Sequence, residues 1–155
     1  MKLFPCKNVT VELRDDRATT LNELRRNTKL TVTLVSDYTD KEFIGQVGDS
    51  GFKIISSEIG RGAVCVFIGE LQDSLGTLEI RIHNAFKIMF IILMLLPIIG
   101  FGIAGLLDGI VTAMIPLMIM GIAFVRFVFM ELSFRFISKT GLNKLEKITG
   151  LKMVE

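Results

Sequence analysis

Two apolar runs constrain everything else in this chain. Ile88–Leu107 is twenty consecutive residues without a charge, and Ile110–Val125 is sixteen more, separated only by Asp108-Gly109. At about 1.5 Å of rise per helical residue, a twenty-residue helix crosses a bilayer core of about 30 Å. The second run reaches that length if the Arg126 side chain extends to the headgroups and the helix continues through Phe127–Met130. The pattern predicts a transmembrane helical hairpin over residues 85–137.

Half of the 155 residues are apolar, and the excess is concentrated in that hairpin. Residues 1–84 carry eleven Lys/Arg against twelve Asp/Glu, so the segment before the helices is nearly neutral. A nucleic-acid surface needs a clustered basic face, so no nucleic-acid partner is expected. Residues 126–155 carry six Lys/Arg against three acids, a basic tail. Cys6 and Cys65 are the only cysteines and His83 the only histidine, too few for a zinc site. The opening MKLFPCKNVTVELRDD is interrupted by Pro and acids where a signal peptide needs an apolar core. The N-terminal part is therefore expected to stay on the side where it is made.

Residues 1–84 read as a small α+β domain. Val9, Val11 and Leu13 alternate with polar residues, the period of a half-buried strand. Asp15-Asp16 then offers a helix cap, and Thr20-x-x-Glu23 a capping box one turn later. An amphipathic helix is expected over roughly 17–27, with Arg25 and Arg26 at its negative dipole end. Lys29–Ser36, KLTVTLVS, is rich in β-branched residues and predicts a second strand. Four more follow: Glu42–Val47, Phe52–Ser57, Ala63–Leu71 and Thr77–Ala85, joined by turns at 48–51, 59–62 and 72–76. Ala63–Leu71 is apolar on both faces and so belongs at the centre of a sheet. In the last strand Leu78, Ile80 and Ile82 point inward, and Thr77, Glu79, Arg81 and His83 outward. The expected fold is a small antiparallel β meander with one N-terminal helix, followed by the hairpin and a short amphipathic C-terminal helix.

No Gly/Ser- or Pro-rich tether separates the last strand from Phe86-Lys87, which predicts rigid coupling to the first helix. The tail over 138–155 repeats Leu142, Leu145 and Ile148 at spacing three among Lys and Glu. It fits either a helix at the headgroup level or one packed on the β domain. Basic residues flank the outer ends of the hairpin: Lys87 before it, Arg126, Arg135 and Lys139 after it. The turn between the helices has none, so the positive-inside rule places both termini in the cytoplasm.

Candidate functional features are few. Pro97 and Pro116 are candidate kinks, or residues tolerated as membrane helices commonly tolerate them. Gly100, Ala104 and Gly105, with Gly109 and Ala113, form small-residue surfaces for helix packing, within the hairpin or between copies. Arg126 and Glu131 flank FVFM, and Glu131 precedes Arg135 by four residues, a favourable helical pair. Gly60-Arg61-Gly62 lacks phosphate-loop spacing. No catalytic constellation, cofactor motif or metal-ligand set emerges, so an enzyme is not expected.

The run Phe43-Ile-Gly45-Gln-Val47, Phe52-Lys-Ile54, Gly76-Thr77 and Ile80-Arg81-Ile82-His83, leading into an apolar hairpin, resembles a group of bacterial two-helix membrane proteins of uncharacterised activity. In that group F-x-G-x-[VI], F-x-I and G-T-x-[IL]-x-[IV] strands precede two membrane helices. The similarity covers roughly residues 38–107 and extends to the MKLFPCKN opening. It departs at Gly60-Arg61-Gly62-Ala63, where the group has an Arg-Asn-Ser-Phe type turn, and at Asn84, where the group often has Pro. The resemblance implies architecture and a bacterial inner-membrane setting. The expected role is a membrane-tethered binding or scaffold module whose β domain takes a protein or small-molecule ligand. The alternative is an oligomeric membrane effector in which the β domain senses a signal and the hairpins perturb the bilayer.

Overall fold

The computed structural model describes residues 4–58, 62–72, 74–108 and 115–154. The turn expected at 59–62 falls mostly outside them, as do the inter-helix turn at Gly109 and the packing position Ala113. The chain is α+β, with a seven-stranded mixed sheet and three helices. It divides into two units, Met1–His83 with Phe136–Glu155, and Asn84–Arg135.

In the first unit the strands are β1 (Cys6–Glu12), β2 (Thr28–Leu30), β3 (Phe43–Val47), β4 (Gly51–Ser56), β5 (Cys65–Leu71), β6 (Leu75–Ile82) and β7 (Lys152–Val154). Their spatial order is β2-β3-β4-β5-β6-β1-β7. The apolar-on-both-faces strand, β5, takes the central place, as its composition requires. β3 to β6 form the antiparallel meander read from the sequence. Three features depart from a simple meander. The N-terminal β1 pairs antiparallel with β6, out of chain order. β2 pairs parallel with β3, which makes the sheet mixed, and β7 pairs antiparallel with β1.

The strand expected over Lys29–Ser36 shortens to Thr28–Leu30. The reason is local. Thr33 N–H bonds to Thr31 Oγ1 at 3.3 Å, and that hydroxyl lies 3.2 Å from Thr33 Oγ1, so side chains substitute for a ladder partner. An ion pair from Lys29 to Asp37 closes the excursion.

Helix α1 (Arg17–Arg26) connects β1 to β2 and lies against β2 and β3. Its cap is Asp16, whose carboxylate accepts from Thr19 N–H at 3.2 Å and Thr19 Oγ1 at 2.6 Å. The capping box at Thr20 does not form, because Thr20 is buried inside the helix with Leu21 and Leu24. Arg25 donates to the Val47 and Gly48 carbonyls at 3.3 Å each, fastening the helix end to the β3–β4 hairpin.

One face of the sheet carries the main core: Val9, Val11, Phe52, Ile54, Phe67, Leu78, Ile80 and Ile82 are buried. Burying each such side chain contributes roughly 1.5–3 kcal/mol. Gly45 has φ +149°, and a Cβ there would meet the Lys53 carbonyl, so the Gly of F-x-G-x-V is a backbone requirement. On the opposite face Ile44, Ile55 and Val66 form a smaller cluster, with Leu34, Ala63 and Ile68 packed around it.

The tail belongs to this unit. Of its two expected placements, the structure shows the packed one. Helix α4 (Glu131–Thr149) contributes Leu142 and Leu145, and Leu151 follows it into the core. Gly141 lets the helix approach so closely that a Cβ would collide with the Phe67 ring. Lys144 bridges Glu42 at 3.1 Å and Glu58 at 2.9 Å, and these bonds raise its pKa despite the opposing effect of desolvation.

In the second unit, α2 (Asn84–Asp108) and α3 (Ile115–Ala123) are apolar helices, and α3 runs without a break through a π-helical segment (Phe124–Met130) into α4. A single residue, His83, separates β6 from α2.

Candidate membrane segment and open sheet face

α2 and the continuous helix from Ile115 are both long and apolar enough to cross a membrane. Their apolar side chains are largely uncovered. Ile88, Ile92, Leu96, Ile99 and Ile103 are each more than half exposed, and so are Leu117, Ile119, Met120 and Phe127. An apolar surface of this size left uncovered along one side of α2, while Phe90 on the other side is buried, is compatible with a membrane location.

Among the described residues of this unit, two contacts between the helices are specific. Phe90 and Phe129 pack edge to face, with ring centroids 6.5 Å apart. Gly121 faces Pro97, whose Cγ lies 3.8 Å from where a Cβ would stand. Gly100, Gly102 and Gly105 have no atom within 4 Å of that position among the described residues. Gly121, which the small-residue pattern did not single out, meets the other helix among the described residues. Pro97 lies inside α2. Pro116 is the second residue of α3, and the six residues before that helix lie outside the described residues.

The two contacts set an antiparallel register in which residue numbers at one level sum to about 218. Glu131 then lies level with Lys87, and Arg126 about 8 Å further along, taking the α-helical rise. The Arg126 guanidinium reaches back to Glu131 at 3.3 Å, and its side chain is only 16% exposed. Arg135 binds the other Glu131 oxygen at 3.2 Å. In an α-helix residues five apart point roughly 140° away from each other. The wider π turn brings them onto one side, so the π segment is what permits the Arg126–Glu131 pair. The cation also lies 5.5 Å from the Phe127 ring centroid. Glu131–Arg135 is the pair read from sequence spacing; Arg126–Glu131 was invisible to it, because five-residue spacing has no meaning in a regular α-helix.

In the first unit, the sheet face opposite the main core holds a shallow depression of about 380 Å³ lined by Asn8, Thr10, Ile68, Glu70, Thr77 and Glu79. Register explains their convergence. Thr77 stands between Glu70 and Thr10, and Glu79 between Ile68 and Asn8. The two carboxylates are diagonal neighbours across a strand pair. The outward residues of β6 were legible as alternation, but Glu70 and Asn8 join them only through pairings distant in sequence. His83 stands at the end of β6, with its pKa lowered by desolvation and by the nearby Lys53 charge. No group of three or more metal-ligating side chains occurs among the described residues.

In comparisons with known protein families, curated proteins and solved structures, no match to this chain was found.

Proposed function

We propose that this chain is a membrane-tethered binding module of the bacterial inner membrane, with both termini cytoplasmic. Residues 85–137 cross the bilayer as a hairpin, and the sheet unit presents its open face to a protein or small-molecule ligand near the inner leaflet. The observation that carries the reading is the uncovered apolar surface of α2 and α3, combined with the neutralisation of Arg126 by Glu131. A cation level with apolar side chains is costly unless paired, and here it is paired toward the end where Lys87 and Arg135 stand. The depression with its amide, hydroxyl and carboxylate groups supports a binding role over a purely mechanical anchor. Membranes from expressing cells washed in alkaline carbonate and in urea test the location: the chain stays in the pellet, and release into the supernatant refutes it. Labelling of the exposed Cys6 from the cytoplasmic side tests the orientation.

The second reading, an oligomeric effector that perturbs the bilayer, is favoured by Gly100, Gly102 and Gly105, where a Cβ would meet no atom of the described residues within 4 Å. Two helices enclose no pore, so this activity requires several copies. Expression with a potential-sensitive dye separates the readings: the effector depolarises the membrane and the binding module leaves it polarised.

A further inference from the structure

The edge strand β2 is shorter than its sequence. Phe43 N–H bonds to Asn27 O at 3.1 Å and Thr31 N–H to Gly45 O at 2.9 Å, so these groups face β3. By alternation, Thr28 and Leu30 turn their backbone groups toward the open edge of the sheet. Beyond Leu30 the β-prone segment leaves the ladder with Val32 82%, Val35 63% and Tyr38 87% exposed. What holds it out is a Thr31–Thr33 side-chain turn and the exposed Lys29–Asp37 ion pair, both weak restraints, together with the half-buried Leu34 packed on Ile44, Ile55 and Val66. An apolar strand sequence at an uncovered edge is a template for pairing with another chain.

We propose that Lys29–Asp37 is a homodimerisation strand that pairs antiparallel with the same segment of a second copy, about a two-fold axis at Thr33. The self-complementarity is in the sequence. Antiparallel pairing centred on Thr33 puts Lys29 opposite Asp37 at both ends, Leu30 opposite Ser36, Thr31 opposite Val35, and Val32 opposite Leu34. The ion pair that closes the excursion within one chain thus re-forms between chains, twice, with no like charges opposed. An isologous contact requires this reciprocity, and an unrelated strand would not supply it. Pairing straightens Thr31–Ser36. Lys29 shares a face with Ile44, so straightening also turns Val35 to the face where Leu34 now packs, and aligns Leu30, Val32 and Leu34 on the other. Two seven-stranded sheets become continuous across the axis. The proposal does not rest on the membrane reading and uses neither helix of the hairpin.

The test uses the full chain in detergent micelles, with mass measured by light scattering across a concentration series. The wild type is dimeric. Lys29→Asp and Asp37→Lys each weaken the dimer at least about tenfold, since two cross-strand pairs turn repulsive. An equimolar mixture of the two variants regenerates a heterodimer, because each pair is restored between chains while neither exists within one. Independently, Thr33→Cys in a Cys6→Ser background forms an intermolecular disulfide on mild oxidation, since a residue at the axis faces its own copy within disulfide range. Val35→Cys does not. Three results overturn the proposal: an edge reserved for an unrelated strand or for lipid leaves the wild type monomeric; assembly through the hairpin leaves an oligomer insensitive to both charge variants; and unspecific contact cross-links the two cysteine variants equally.

Discussion

Cys65 and Cys6 carry the same thiol in opposite surroundings. Cys65 is fully buried in β5, and desolvation pushes its pKa to about 12, whereas Cys6 is exposed at the start of β1. A thiol-specific reagent at pH 8 should therefore modify one thiol per native chain and two after denaturation. Two fast equivalents in the native protein would contradict the burial. His83 makes a prediction of opposite sign to a salt-bridged histidine. Its folded pKa lies below the unfolded value of about 6.5, so the unfolded chain takes up the proton first. Stability from this residue is intact above pH 6.5 and declines as pH falls below it. His83→Asn should flatten the stability profile between pH 7 and 5.5, measured by thermal unfolding in detergent, and an unchanged slope would exclude the histidine as its source. At this scale the sequence was partly legible. Asp16 was read as a cap and is one, but the Thr20 capping box was not formed, since the hydrophobic stripe that includes Leu21 and Leu24 pulls Thr20 inside.

Among the elements, α4 depends most on a single close approach. Gly141 sits where a Cβ would enter the ring of Phe67, itself 1% exposed and unable to move aside. Gly141→Val should destabilise the sheet unit by about 1–3 kcal/mol through overpacking, despite removing a helical glycine. Chemical denaturation followed by far-UV dichroism measures this, and a neutral or stabilising result would show that the helix can retreat. The π segment is the other element with a specific role. It exists within a run, FVRFVFM, whose composition gives no hint of a widened turn. The Arg126–Glu131 contact it allows is a three-dimensional fact, and Glu131→Gln should lower the thermal stability of the detergent-solubilised chain while leaving its helix content unchanged.

Across the whole molecule, the first and last parts of the chain form one unit. Phe136–Glu155 supplies three buried leucines, a strand beside β1 and the Lys144 bridge to Glu42 and Glu58. Three such leucines contribute roughly 1.5–3 kcal/mol each, comparable to the whole stability of a small domain. A chain ending at Arg135 should therefore lose protection of residues 6–82 in limited proteolysis, although it retains every strand but β7. Survival of a protease-resistant fragment would show that the sheet stands without its C-terminal helix.

The apolar runs, the strand periodicities and the α1 helix are local patterns, and local patterns were readable from the chain alone. Twenty uncharged residues and a period of two need no knowledge of neighbours. Which strand lies beside which, and in which direction, depends on contacts between residues far apart in the chain, so only the tertiary structure decided it. β2 lies parallel to β3 because α1 carries the chain from β1 to that edge; β1 sits between β6 and β7 because the meander ends beside it on one side and the C-terminal strand returns to it on the other. The same holds for the depression around Glu70 and Glu79 and for the docking of Gly141. An amphipathic tail has one apolar stripe, and sequence states that it must be covered but not by what. In this protein the sheet covers it.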